Sequence, residues 1–408
     1  MLNSQTADQI NQVMQTFFRV KAQMDAQKAQ KNPTQQQQQQ VQQFIMTQPM
    51  QRFQSQLKRY QQDILEYEYP DWHEAALAHI PVDKLVERAN KSIAEPPIGT
   101  KPLSFKDELL KQLLAWFKHE FFKWVNQPEC DYCGSATQGI GGAHPNSSEI
   151  PFRPGHVELY RCNNCRQVTR FPRYNDPKKL LETRRGRCGE WAQCFTLCAR
   201  ALGYEVRLAH DWTDHIWTEV YSESQERWLH CDSCENSMDA PLLYEAGWGK
   251  KLNWVVAVSP NEIVDVTQRY THKYSEVLTR RHSIPEKWLE DVIAKMNAEL
   301  HPHLSPQVQA NLAKRKPIEE AEFKVNREGG KKKEEVKEEE KDGRISGSVE
   351  WRAQRGEIGD LTRTLEAEEK QKEVKKELED LDKKIPEGGT CTVAPFEKAN
   401  PPEVKKPE

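Results

Sequence analysis

Long apolar runs are missing from this 408-residue sequence, and none approaches the length of a membrane span. The N-terminus also lacks the charged and apolar regions of a secretory signal. Together these absences point to a cytoplasmic chain, or a nuclear one, in which ten cysteines stay reduced and serve metals or chemistry ahead of disulfides. Charge of one sign is missing too. Lys and Arg (59) nearly cancel Asp and Glu (62), and a net charge of −3 offers no general argument for binding nucleic acid. Apolar residues are scarce at 37% against 30% charged, so part of the chain is expected to stay outside any core.

What is present divides the chain in three. Residues 1–52 carry Ile10, Val13, Phe17, Val20 and Met24 as one helical stripe suited to docking, followed by the Gln-rich run Gln35–Gln40, read as flexible. Residues 53–300 read as the folded core. Leu57, Tyr60, Ile64 and Leu65 share a helical face. Ser104 with Asp107 opens a helix that is apolar almost all round and extends to Trp124. After a Gly-, Pro- and Cys-rich subdomain (127–175), helix returns over Pro177–Leu202, and then come the short strand-like runs 204–209, 216–221, 228–230, 252–258 and 263–266. Helices first and strands after predict an α+β fold with an antiparallel sheet. Residues 301–408 hold charge blocks such as Lys331–Glu335 and are expected to be mostly disordered, with a solvated helix near 360–385.

Two motifs carry chemistry. Cys130-x-x-Cys133 and Cys162-x-x-Cys165 are paired turns whose four thiolates suit one structural zinc ion, with His144 and His156 as substitute ligands and redox pairs or unligated thiols as alternatives. Cys231-x-x-Cys234 has no second pair and is not read as a metal site. The other motif is Cys188, between Arg184-Arg185-Gly186-Arg187 and the apolar residues of a helix. At a helix N-terminus its thiol is expected to ionise readily. Taken alone, it could equally be an inert core thiol. His215 at the start of one strand and Asp232 at the end of the next supply a base and an orienting acid, given the short turn Ser222–Glu226 between them. His210 and His230 are weaker rivals.

The blocks Gly186–Ala192, Asp214–Val220, Arg227–Asp232 and Tyr244–Lys251 resemble the cytoplasmic peptide:N-glycanases, a family of transglutaminase-like cysteine enzymes, over roughly residues 53–300. The resemblance implies a papain/transglutaminase-like core and an amidase that frees an N-glycan from asparagine of misfolded glycoproteins, leaving aspartate. It implies Cys188 as nucleophile, His215 as general acid/base and Asp232 as its orienter. It further implies zinc on Cys130, Cys133, Cys162 and Cys165, and contacts to the chitobiose core from Glu219, Glu235 and Trp248, with Trp124 near the oxyanion. Service in the disposal of proteins exported from the endoplasmic reticulum, and docking to ubiquitin-receptor shuttle proteins, are implied in the same way. The family's larger members carry a peptide-binding domain and a carbohydrate-binding sandwich that these residues do not match. A transglutaminase or cysteine protease on the same scaffold, and a silent zinc-stabilised binding scaffold, are the alternatives.

Overall fold

Helix α1 (Gln35–Leu65) leads the folded chain and takes in the Gln-rich run, which low complexity alone had assigned to a flexible segment. Gln is a straight-chain residue that helices accept readily, so a polar run need not be an irregular one. The structure, a computed structural model, describes residues 35–96, 103–327 and 336–383; the stripe Ile10–Met24 and the block Lys331–Glu335 lie outside them. The chain divides into two compact units at Gln56/Leu57, and the site belongs wholly to the second.

Helices α2 (Pro70–Leu77), α3 (Val82–Ala94) and α4 (Phe105–Trp116) follow. Ser104 caps α4 by accepting the Asp107 N–H at 3.1 Å. The helix stops sooner than its apolar residues suggest. Phe117–Phe121 widens into a π-turn, and Trp124 sits on a two-residue strand, β1 (Lys123–Trp124), instead of a buried helix. Packing explains the break: Phe117 and Phe122 turn their rings edge-on to Trp191 at 5.6 and 5.1 Å, so the chain must bend around that indole.

The Gly- and Cys-rich region is a three-stranded antiparallel sheet, β2 (Thr137–Ala143), β3 (Pro154–Cys162) and β4 (Val168–Tyr174). Then come α5 (Pro177–Thr183), β5 (Arg185–Gly186), which pairs in parallel with β1, and α6 (Cys188–Ala201). The helix expected over 177–202 is therefore interrupted, at Arg184 with a φ of +49°. Strands β6 (Val206–Asp211), β7 (His215–Ser222), β8 (Arg227–Asp232), β9 (Ser237–Met238), β10 (Val255–Val258) and β11 (Ile263–Asp265) form one antiparallel sheet in the order 11-10-6-7-8-9, with α7 (Leu243–Ala246) before β10. Helix α6 lies across β6 and β7. Trp217, Tyr244, Trp248, Leu252 and Tyr270 fill the opposite side of that sheet.

Beyond residue 300 the chain is more ordered than its composition predicts. After α8 (Tyr274–Leu278) and α9 (Glu286–Leu300), α10 (Pro306–Arg327) brings Glu319 and Glu322 onto Arg269. Residues 336–383, with α11 (Val349–Arg355) and α12 (Leu361–Asp382), pack back on the core. Expecting disorder here overlooked that charges can be buried in pairs. Arg344 is 0% exposed and donates to Glu357 at 2.7 Å, while Arg352, 3% exposed, meets Glu368 at 2.7 Å. Backbone contact completes the docking. A Cβ on Gly247 would fall 2.0 Å from the Asp342 carbonyl oxygen, and one on Gly343 1.7 Å from that of Ile358, so only glycine lets these strands of backbone touch.

Candidate active site

Cys188 is the first residue of α6, and the loop before it is pinned from several sides. Glu190, at the third position of the helix, accepts the Arg187 N–H at 3.1 Å and is gripped by Arg173. A Cβ on Gly186 would lie 2.4 Å from the Glu190 Cβ, so the turn into the helix requires glycine there. Arg187 forks onto Glu158, with both contacts at 2.8 Å, and donates to the carbonyls of Val125 and Asn126. Its role is to place the loop.

The antiparallel pairing of β7 and β8 brings His215 and Asp232 together as expected, with Nε2 of the imidazole 2.7 Å from Oδ2 of the carboxylate. That same Oδ2 accepts the Tyr244 hydroxyl at 2.9 Å, and Oδ1 accepts the Cys234 N–H at 2.8 Å. An ionised carboxylate only accepts, so Nε2 carries the proton and Nδ1 the lone pair. Nδ1 is buried with no partner among the described residues. The turn into β7 is strained, with Asp214 at φ +73° and braced by Arg355 at 2.8 Å.

Electrostatics set the resting state. Burial, then the charges of Arg344 and Lys250, holds the His215 imidazole well below its ordinary pKa. Burial also pushes the Cys188 thiol up, with Arg344 opposing it. Desolvation thus opposes the ready ionisation expected of a thiol at a helix terminus. His210 and His230 are held by other partners, and neither is hydrogen-bonded to Asp232. His210 is stacked on Tyr60 at 3.6 Å and pushed down to about 3, and His230 is bonded to the Tyr244 hydroxyl at 2.7 Å and pushed down to about 4.

The expected sugar-contacting residues separate into two groups. Trp248, Glu235 and Trp124 surround one spot: the Trp248 ring is 5.0 Å from that of His215, and a single guanidinium, Arg344, lies 4.6 Å from Trp248 and 5.2 Å from Trp124. Glu235 accepts the backbone N–H groups of Ile345 and Ser346 at 2.8 and 3.2 Å, and burial raises its pKa. Glu219 does not join them. It is 0% exposed, and its two oxygens are taken by Arg207, Arg269 and Tyr270, in a charge cluster completed by Glu319. Such a carboxylate acts as a structural ion, fully buried and accepting three donors, and is not presented beside Trp248 as the other expected contacts are. A cleft of 1460 Å³ is lined by Trp124 and Trp351 together with β1, Arg184, Arg185 and α11. Tyr244 and Arg344 are the site residues that sequence reasoning missed. For Arg344 the available signal was Gly343, Gly347 and Trp351 interrupting an otherwise charged stretch.

In the subdomain of β2–β4, the sulfur atoms of Cys130, Cys133, Cys162 and Cys165 all lie within 4.8 Å of one another. Three of the pairs stand at 3.5 Å, close to the roughly 3.8 Å expected around one tetrahedral ion with thiolate bonds of about 2.3 Å. The residues therefore fit a metal. His144 and His156 are exposed and outside the cluster. Cys231 and Cys234 are buried apart from it.

Comparison with known proteins agrees with this geometry. The family model of the transglutaminase-like superfamily matches residues 137–233, and that of the Rad4 transglutaminase-like domain matches 211–324. A Gallus gallus protein named peptide-N(4)-(N-acetyl-beta-glucosaminyl)asparagine amidase is 48% identical over 72% of this chain and 45% of its own length. The Arabidopsis thaliana protein of that name is 43% identical over 78% and 44%. Its Saccharomyces cerevisiae namesake is 39% identical over 72% and 82%. The chain thus spans about half the length of the animal and plant relatives and most of the yeast one. A solved complex of Rad4-Rad23 bound to a 6-4 photoproduct UV lesion aligns at a TM-score of 0.43 and 16% identity, over 73% of this chain and 61% of that one, too distant to bear on the site. Alignment at 39% identity over four fifths of a relative's length decides the matter: the chain belongs to the peptide-N(4)-(N-acetyl-beta-glucosaminyl)asparagine amidase family and has a transglutaminase-like fold.

Proposed function

We propose that the protein hydrolyses the amide between an N-glycan and its asparagine, releasing the glycan as a glycosylamine and leaving aspartate. The observation that carries this reading is His215, bonded through Nε2 to an Asp232 that also accepts Tyr244 and the Cys234 N–H, and presenting an unpartnered Nδ1 in a fold where Cys188 heads helix α6. Nδ1 takes the thiol proton as the sulfur attacks the side-chain carbonyl. The resulting imidazolium, stabilised by Asp232, gives that proton to the departing glycosylamine nitrogen. Water deprotonated by His215 then cleaves the thioester and restores the thiol. Tyr244 shares the carboxylate and fixes its direction. Trp124, Glu235 and Trp248 offer aromatic faces and a buried carboxylate to the chitobiose core, a combination suited to apolar sugar faces and hydroxyl donors.

Cys130, Cys133, Cys162 and Cys165 hold one zinc ion in this reading. A closed thiolate set leaves no open position, so the ion stabilises the β2–β4 subdomain and takes no part in the reaction. Metal analysis of the purified protein should give one zinc per chain, and Cys133→Ser should lose it together with thermal stability. Misfolded glycoproteins exported from the endoplasmic reticulum are the substrate class, in the cytoplasm, with ubiquitin-receptor shuttle proteins as delivering partners.

Incubation with denatured glycoprotein is the test. Release of intact glycan with conversion of Asn to Asp is expected, and it should vanish in Cys188→Ala. Peptide cleavage or cross-linking in its place would favour the protease or transglutaminase alternatives, and no reaction would favour a silent scaffold.

A further inference from the structure

Three buried polar atoms have no partner among the described residues and belong to one cluster: Nδ1 of His215, Nε1 of Trp248 and Nη2 of Arg344. The His215 ring is 5.0 Å from the Trp248 ring, and the Arg344 guanidinium is 4.6 Å from the same ring. Buried polar atoms without partners are costly, so this cluster of two donors and one acceptor marks a place built for something not of the protein's own making, or for a charge that appears during reaction. Arg344 is held there firmly. Its guanidinium lies over Trp248, Trp124 and, at 4.6 Å, Trp351; Nη1 donates to Glu357 at 2.7 Å, and Nε to the Ser346 hydroxyl at 2.9 Å. The two residues after it donate their backbone N–H groups to Glu235, so the same turn fixes the cation and the carboxylate.

We propose that Arg344, carried in by the C-terminal stretch, is a positioning residue that stabilises negative charge on the Cys188 sulfur, so that the site formed by residues 188–235 is incomplete without residues 343–357. This rests on the reading of Cys188 as nucleophile but not on the identity of the substrate. The charged and titratable groups that act on Cys188 include Glu190 on its own helix, Asp214 from the turn into β7, Arg173 from β4, Cys234 after β8 and Arg344, and His215 presents its Nδ1 in the same cluster as Arg344. Arg173 is already committed to Glu190 and Glu158. That leaves Arg344, with its free Nη2 edge, as the cation able to respond to a new charge. A guanidinium stays protonated at any working pH and is weakly hydrated, which suits it to this indole-lined position.

The test is the pH dependence of Cys188 alkylation by iodoacetamide in the full chain, counted by mass spectrometry at that residue. It needs no glycan substrate, so its failure is distinguishable from failure of the amidase reading, which the glycan-release assay judges. Arg344→Met should lower the alkylation rate at neutral pH on the order of tenfold, the change carried by one pKa unit, while the plateau at high pH stays at the wild-type level. Arg344→Lys, which keeps the charge, should recover most of the neutral-pH rate. Glu357→Gln keeps a hydrogen-bond acceptor for Nη1 but removes the competing anion, so it should move the profile the opposite way, toward faster alkylation at neutral pH. If Arg344→Met does not fold, judged by circular dichroism, Glu357→Gln decides alone. An unmoved profile in a folded Arg344→Met, or in Glu357→Gln, overturns the proposal.

Discussion

Strand β7 and the stretch 343–357 both reach the same site, but they are held in place by different forces. Behind the site end of β7 the buried set is Trp217, Ala209, Tyr244, Trp248 and Leu252, with the ring stack of Trp217 on Tyr244 at 4.2 Å, while the charge cluster of Glu219 lies further along the strand. Around 343–357 the buried set is Arg344, Arg352, Glu357 and Ser346, paired with one another or with Glu368 and Arg355. An apolar wall loses stability in proportion to the volume removed and is indifferent to pH. A wall of paired ions costs much to desolvate, and removing one member leaves a buried charge with no counterion. Shape is therefore fixed on one side by packing and on the other by charge balance, and the chemistry sits where they meet.

The largest effect should come from the sheet side and be confined to activity. Asp232→Asn keeps the volume but loses the ionised acceptor that sets the His215 tautomer. Glycan release should fall by about 10³–10⁴-fold, the scale seen when a triad carboxylate is replaced by its amide, with the thermal midpoint nearly unchanged. Release kinetics beside a melting curve decide it, and wild-type turnover in this variant would remove Asp232 from the mechanism.

The comparison of walls is tested by removing one group from each. Glu357→Ala abandons Arg344 and Arg355 together and should cost about 3–5 kcal/mol in urea unfolding. Leu252→Ala, in the core beside Trp248, should cost about 2–4 kcal/mol as a cavity. The pH dependence separates them. Arg355 and Arg344, against the cost of burial, hold the Glu357 carboxyl below the usual range. A depressed folded pKa contributes stability above the unfolded value and loses it as pH falls through the folded one. The Glu357→Ala penalty should shrink below about pH 4, where the unfolded carboxyl protonates, while the Leu252→Ala penalty should not. Equal pH behaviour would show that the two walls do not differ in kind.

This difference also marks what could be read in the sequence. The apolar wall was legible because strands and helices repeat with fixed periods, and His215 and Asp232 fell at the facing ends of two strands joined by a short turn. The four cysteines were legible because their spacing is itself the signal. Arg344 was not, since nothing periodic distinguishes a buried arginine from a solvated one; only its partners do, and Glu357 and Glu235 lie at separations that sequence alone does not connect. Glu219 shows the same limit in reverse. Its family-like position suggested an open site, but Arg269 and Glu319, fifty and a hundred residues further on, close over it. The strands β2–β4 were hidden by glycine and proline, which weaken any strand signal even where cysteine ligands can organise a hairpin.

The smallest effect should come from Glu158, which belongs to neither wall: it sits on β3, grips Arg187 and is 19% exposed. Arg187 and the Tyr160 hydroxyl, against desolvation, hold its carboxyl down to about 2. The folded value is depressed, so its contribution is present above the unfolded range near pH 4.3 and disappears between there and about pH 2. Glu158→Gln keeps an acceptor for one N–H of Arg187, which also retains the carbonyls of Val125 and Asn126. Partial exposure screens the lost charge as well, so the cost at neutral pH should be about 1–2 kcal/mol. The same substitution loosens the loop that presents Cys188, and a several-fold drop in glycan release should accompany it, recovered as the acid limb is approached and wild type loses the same interaction. A penalty that stayed constant down to pH 2 would mean that Glu158 acts by shape alone, and the charge that positions Arg187 would have to be sought in Arg173 and Glu190.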